Sequence, residues 1–354
     1  MKRVLISRFA AYGDHIHASH LPRLLKTKAG FDHVTFEYNL KGEAIYRHNP
    51  YIDQHLLFNI QHPLIALRPT EFMNQRYKAM LEQGNYDLFI NLRDSIERGY
   101  IAMEDQPEYY RDSGYRRNKY GQQNYYDQTV EFAGFPEWKG ETGDLYFTQE
   151  EEAVVQMVYG TAYAGKFVVI ANLSGTSKHK LFMNAEYILK KFLERHKDAV
   201  VILTGDEDCR QHLAFTGERV VNRCGNFDGE TGYPFRQAML MAKYADMVIG
   251  AESGLMCAST LLGTPTVQLM TAASIKNHGG DFANDYSLQS PIACSPCHKG
   301  PYDYIGCPNF EHLGLAYPKC VMFQPDAVLE RMEQVYRIRG NRPRHEKYAE
   351  LAGI

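Results

Sequence analysis

The sequence predicts an α/β protein of two domains, each built on a parallel sheet with both faces covered. Three observations predict it. At 354 residues the chain exceeds what one ordinary core accommodates. Short unbroken apolar runs, such as Val4-Leu5-Ile6 and Phe167-Val168-Val169-Ile170, alternate with helical stretches, as strands buried on both faces do. The alternation lapses in the middle of the chain and restarts at Lys166.

The first half opens with a strand over residues 2–7, a small-residue turn from Phe9 to Gly13, and a helix opening at Asp14. Strands follow over 33–38, 54–58 and 86–91, with a helix over about 69–83 before the last. Residues 93–126 break the pattern: they are polar and rich in Tyr and Arg, and a long irregular insertion inside a domain is often functional. A helix over about 122–133 closes this half, and residues 137–143 approach an interdomain linker. In the second half, strands at 167–171, 199–203, 247–250 and 266–270 alternate with helices at 185–197, 235–244 and 252–262. A cysteine-bearing loop and a helix over about 325–337 complete it. The expected division is 1–150, 151–325 with a Cys-rich loop at 294–320, and a C-terminal helix and basic tail at 326–354.

Composition narrows the partners. The formal net charge is −3, so the chain is no polycation, and a nucleic-acid partner would need a local basic patch. Val4-Leu5-Ile6 is too short for a secretory core, and no window approaches the roughly 18 apolar residues of a membrane helix. The expectation is a soluble cytoplasmic protein whose seven cysteines are reduced unless a metal holds some of them.

Five motifs carry chemistry. In Ala10-Ala11-Tyr12-Gly13-Asp14, the glycine lets backbone approach a ligand, and Asp14 is either a helix cap or an acceptor of a hydroxyl proton. Asn172-Leu173-Ser174-Gly175-Thr176-Ser177-Lys178-His179-Lys180 follows a buried strand; its amides, hydroxyls and lysines suit a diphosphate, or it is an ordinary polar loop. It lacks the Gly-Lys-Ser/Thr of a P-loop. Glu252-Ser253-Gly254-Leu255 lies between strand and helix, where the helix N-terminus attracts anions and Glu252 can meet a sugar or ribose hydroxyl. Cys294, Cys297, Cys307 and Cys320 are spaced by two, nine and twelve residues, which suits a thiolate site for zinc or iron, with free thiols as the alternative. Last, Arg111, Arg116, Arg117, Lys119 and Tyr120 interleave cations with aromatics, as phosphate- and sugar-holding surfaces and plain solvated surfaces both do.

Taken in order, these motifs resemble the bacterial ADP-heptose heptosyltransferase family, from Lys2 to about Val328. The opening strand and loop ending in Gly13-Asp14, the Asn49-Pro50-Tyr51-Ile52-Asp53 segment, and Leu262-Gly263-Thr264-Pro265 carry the likeness. So does the cysteine loop before the Pro325 helix. The resemblance implies a GT-B architecture, α/β with two Rossmann-like domains facing across a cleft. It implies an inverting glycosyltransferase with Asp14 as catalytic base, and a nucleotide-sugar donor, ADP- or UDP-linked. The implied donor residues are Gly13, Ser174, Thr176, Ser177, Lys178, Lys180, Glu252, Ser253, Gly254 and Leu255. It further implies structural zinc or iron at the four cysteines, as in some relatives. Two departures fall in the donor motif: the family's Asp is Glu252 and its His is Cys257.

Fixed cations and a helix dipole can stabilise a leaving diphosphate, so the expected chemistry requires no divalent metal. The expected acceptor is anionic: the lipopolysaccharide core or a similar glycan, reached at the inner face of the membrane. Arg111, Arg116, Arg117, Lys119 and Tyr120 are its candidate contacts. DNA bearing a hydroxymethylated base, as in phage-encoded enzymes of the host cytoplasm, is the second reading, and a protein acceptor the third. The non-enzymatic alternative is a metal-stabilised binding protein with a dead donor site.

Overall fold

The computed structural model describes residues 1–9, 11–58, 75, 78–92, 118, 121–175, 179–205, 209, 215–225, 232–298, 307, 309 and 317–340. The chain divides into two compact units, Met1–Asp105 with Tyr125–Phe147, and Gln106–Asn124 with Thr148–Ile354. The sequence reading kept residues 93–126 with the first domain, whereas Gly121, Gln123 and Asn124 are tied to the second. Ser274 Oγ donates to Gly121 O (2.9 Å), Asn277 Nδ2 to Gln123 O (2.8 Å) and Asn124 Nδ2 to Asp281 (2.8 Å).

The first unit carries four parallel strands, β1 (Arg3–Arg8), β2 (His33–Tyr38), β3 (Gln54–Leu57) and β4 (Leu88–Asn91), in the order β3-β2-β1-β4. Val4, Leu5 and Ile6 are buried, as expected of a central strand covered on both faces. Helices α1 (Tyr12–Ala18), α2 (Leu21–Thr27), α3 (Leu40–Tyr46) and α4 (Tyr125–Phe132) accompany the sheet. Buried His15 anchors α1: Nε2 lies 2.7 Å from Asn39 Oδ1 and Nδ1 lies 3.2 Å from the Tyr46 hydroxyl. Burial, helped by the Arg8 charge, pushes this imidazole down to about 3. It is therefore neutral at neutral pH, with the Nε2 proton donated to Asn39.

The second unit carries β5 (Phe167–Asn172), β6 (Ala199–Thr204), β7 (Val220–Asn222), β8 (Met247–Ala251), β9 (Thr266–Met270) and β10 (Leu288–Gln289). All pair parallel in the order β10-β9-β8-β5-β6-β7. Counted from β5, this is the doubly wound order 3-2-1-4-5-6, whose direction reverses between β5 and β8. Helices α5 (Gln149–Thr161), α6 (Ala185–Arg195), α7 (Phe235–Tyr244), α8 (Gly254–Leu261), α9 (Ile275–His278) and α10 (Pro325–Gly340) connect and cover it. Ile188, Leu189 and Phe192 of α6 and Val328, Met332 and Val335 of α10 share one core with Phe167, Val169 and Ala171. Tyr336 fixes α10 by packing its ring at a tilt against His196, centroids 3.7 Å apart, and donating to Asp198 at 3.0 Å. Among the described residues no helix is long and apolar enough to cross a membrane.

Helix α5 begins with a reciprocal cap: Thr148 Oγ1 accepts the Glu151 N–H (3.2 Å) and Glu151 accepts the Thr148 N–H (2.9 Å). Thr148→Ala removes one half of it and is expected to cost about 1 kcal/mol. A lower midpoint in denaturant with an unchanged slope is the measurement that checks this.

Candidate active site

In open parallel sheets, ligands bind beyond the carboxyl ends of the strands, where the strand order reverses. In the first unit this point lies between β1 and β4. Arg8 ends β1 and is 1% exposed. Its Nη1 donates to Leu92 O, just past β4, at 2.5 Å, and its Nη2 lies 2.5 Å from Asp14 Oδ1. The other Asp14 oxygen accepts the Ala11 N–H at 3.0 Å, so Asp14 does serve the head of α1. Each carboxylate oxygen has one such partner, and each carries a further lone pair. Nearby in the sheet, buried Ser7 Oγ donates to buried Glu37 at 3.1 Å. Gly13 is half-buried in the first turn of α1. The sequence reading missed Arg8. Its signal was an arginine directly after an apolar strand and ahead of Gly-Asp, but its partner Leu92 is 84 residues away.

The second unit's reversal point gathers Ser174, Lys180, Glu252 and the head of α8. Gly250 pairs with Asn172 across β8 and β5. Asn172 Nδ2 donates to Ser174 O (2.9 Å) and Ala251 O (3.3 Å), joining the loops that leave the two strands. Gly175 N–H donates to Lys180 O at 2.7 Å, and a Cβ at Gly175 would lie 2.8 Å from Glu252 O and from Lys180 Cβ. These loops pack with backbone against backbone. Lys180 Nζ then lies 3.4 Å from Glu252 Oε1. Burial alone would raise the Glu252 carboxyl. Lys180 first, then His278 and the Thr271 N–H, outweigh it and hold that group below the usual carboxylate range. Burial and Lys180 lower the neighbouring His179, against the Glu252 charge.

The sequence placed Glu252 in the helix. The structure starts the helix at Gly254, with Ser253 as its N-cap in extended conformation. Ser253 makes no side-chain cap, and its buried Oγ has no hydrogen-bond partner among the described residues. The first amides of α8 thus keep the positive end of the helix open to an anion. Leu255 is 1% exposed. At the position where the resemblance expects His, Cys257 Sγ lies 3.1 Å from Nδ1 of His278. Thr176, Ser177 and Lys178 lie outside the described residues, as do Arg111, Arg116, Arg117, Lys119 and Tyr120.

Cys294, Cys297 and Cys307 are half-buried and Cys320 is buried; none of them is in a disulfide. Burial pushes the Cys320 thiol well up, and Cys297, Cys307 and Cys294 add to it. Asn309 Nδ2 donates to Cys294 Sγ at 3.3 Å. Thiolate sulfur is the donor type that zinc and iron accept, but among the described residues no three of these sulfurs lie within 4.8 Å of one another.

No family model matches this sequence, and no curated protein matches it. Solved structures do resemble it in three dimensions. A family 9 glycosyltransferase from Veillonella parvula aligns over 95% of this chain and 98% of its own, at 14% identity and a TM-score of 0.67. The ADP-heptose lipopolysaccharide heptosyltransferase II of E. coli aligns over 96% and 100%, at 13% identity and 0.63. TibC, an iron-containing dodecameric glycosyltransferase of enterotoxigenic E. coli, aligns over 95% of this chain and 76% of its own, at 12% identity and 0.62. The chain has the GT-B fold of the heptosyltransferases and resembles that family along nearly its whole length.

Proposed function

We propose that the protein is an inverting glycosyltransferase that moves a sugar from an ADP- or UDP-linked donor to an acceptor hydroxyl. The observation that carries this reading is the Lys180–Glu252 pair, 3.4 Å apart, beside the uncapped head of α8. The donor diphosphate lies against Lys180 and the Ser253, Gly254 and Leu255 amides, with Ser174 and, from the same stretch of sequence, Thr176, Ser177 and Lys178 as its further contacts. Glu252 accepts hydrogen bonds from a sugar or ribose hydroxyl. The acceptor oxygen attacks the anomeric carbon as the bond from that carbon to the diphosphate breaks. The acceptor proton passes to Asp14, and the nucleoside diphosphate leaves with its new negative charge against Lys180 and the helix dipole.

The acceptor we favour is an anionic bacterial glycan of the lipopolysaccharide-core type, met on the cytoplasmic side of the membrane. The likeness to an enzyme named for that glycan supports this choice. Cys294, Cys297, Cys307 and Cys320 are the residues that would hold zinc or iron once their sulfurs are drawn together; the donor type and the likeness to iron-containing TibC support the assignment.

Two measurements test the reading. Lys180→Met keeps the stem and removes the charge, and is expected to weaken ADP or UDP binding about 10- to 100-fold, the worth of a hydrogen bond to a charged group. Equal affinity in that variant removes Lys180 from the donor site. The acceptor is tested by offering ADP-, UDP- and GDP-sugars with lipopolysaccharide core or with duplex DNA bearing 5-hydroxymethylcytosine. Transfer to the DNA replaces the glycan acceptor. No binding of any nucleotide sugar, and no donor hydrolysis, leaves a metal-stabilised binding protein.

A further inference from the structure

The segment that follows β9 joins the cysteine loop to the donor residues, and one side chain does most of the joining. Thr271 is 2% exposed. Its hydroxyl donates to the carbonyl of His179, the residue before Lys180, at 2.7 Å. Its N–H reaches the Glu252 carboxylate at the long distance of 3.4 Å. Both members of the Lys180–Glu252 pair are therefore tethered to a single residue.

The carbonyls of the same segment face the cysteine loop. Ser295, inside the Cys294-Ser295-Pro296-Cys297 turn, donates its hydroxyl to Thr271 O at 2.7 Å. The N–H of His298, next to Cys297, donates to Ala272 O at 2.9 Å. Gln289 closes the arrangement, with Nε2 2.8 Å from Ser295 Oγ and 3.1 Å from Ala273 O. Buried hydrogen bonds of this kind are costly to leave unmade, so a displacement of the cysteine turn is transmitted to Thr271 rather than absorbed.

We infer that Thr271 is a positioning residue through which the cysteine turn sets the spacing of Lys180 and Glu252, and with it the affinity for a nucleoside diphosphate. This rests on the proposed donor site. Thr271 itself touches no donor atom in this scheme and acts through His179 O and Glu252.

The test uses the full-length protein, with ADP and UDP as probes in calorimetry. Thr271→Val, nearly isosteric but without the hydroxyl, is expected to weaken nucleotide binding about fivefold, the loss of one hydrogen bond. Thr271→Ser restores the hydroxyl and the affinity. Ser295→Ala, which removes the cysteine turn's hydroxyl from Thr271 O, is expected to weaken binding as well. Hydrogen exchange is expected to quicken in the peptide containing residues 179–182 in both weakened variants. Wild-type affinity in Thr271→Val or in Ser295→Ala overturns the inference, as does a Thr271→Ser variant no better than Thr271→Val. If wild type binds neither nucleotide, the donor site itself falls and the inference with it, an outcome told apart by the wild-type titration alone.

Discussion

Asp14→Asn is expected to lower glycosyl transfer by about 10²–10⁴-fold, the usual worth of a positioned general base, and also to lower the melting temperature. The two losses have different causes. Asparagine keeps the shape and can still accept the Ala11 N–H, so the head of α1 survives. It cannot neutralise Arg8, which is 1% exposed and sits 2.5 Å from Asp14. Breaking one partner of a buried ion pair costs about 3–5 kcal/mol, because the other charge is left uncompensated. Arg8 is what couples the loss of the carboxylate to stability.

The double variant Arg8→Met/Asp14→Asn separates the effects. It removes both buried charges and is expected to recover most of the lost stability. Transfer should stay lost, since Asp14, the proposed base, is gone. ADP affinity should match wild type in both variants, because Lys180 and the α8 amides are untouched. Turnover that returns together with stability would make Asp14 a structural anchor of α1 and leave the base to be sought elsewhere, with buried Glu37 the next carboxylate to test.

The strands were legible because parallel strands covered on both faces are written as unbroken apolar runs. Phe167 to Asn172 and Ala199 to Thr204 are buried at every position. Elements whose stability comes from elsewhere were not legible. Helix α3 contains Gly42, a poor helix former, and is required by packing: a Cβ there would lie 2.7 Å from Tyr38 and 3.0 Å from His15. Helix α5 went unread although Thr148 and Glu151 spell a capping box, because the reading took residues 137–143 for a linker and resumed only at Lys166. Strands β7 and β10, of three and two residues, are too short to show a period.

The site divides in the same way. Asp14, Lys180 and Glu252 stand in local motifs beside strand ends, which the family resemblance made candidates. Arg8, Thr271 and Ser295 act through partners distant in sequence. Arg8 needs Leu92, and Thr271 needs His179, 92 residues away. Nothing local distinguishes such a threonine from a core residue, so its role emerges only once the sheet order brings β9 beside β8.

Gly250→Ala is expected to be the most destabilising single substitution in the second unit, and it tests the register on which the donor site depends. Gly250 has φ +151°, and a Cβ built there would lie 1.9 Å from Asn172 O and 2.7 Å from Asn172 C. That oxygen belongs to the paired strand, so no side-chain rotation relieves the overlap; β8 and β5 must move apart. Overpacking that flexible cores absorb costs about 1–3 kcal/mol, and this clash of backbone in a central ladder should exceed that range. Gly263→Ala is the control. Gly263 also has positive φ, +80°, but a Cβ there meets nothing within 4 Å, so only the left-handed penalty of about 1–2 kcal/mol applies. Denaturant unfolding of both variants should therefore show Gly263→Ala modestly shifted and Gly250→Ala largely unfolded in the second unit or far less stable. Because Asn172 also ties Ser174 O to Ala251 O, any folded Gly250→Ala protein should bind nucleotide more weakly than Gly263→Ala of matched stability. Similar midpoints for the two alanines would mean that Asn172 does not lie opposite Gly250, and the loop pairing that brings Lys180 to Glu252 would have to be redrawn.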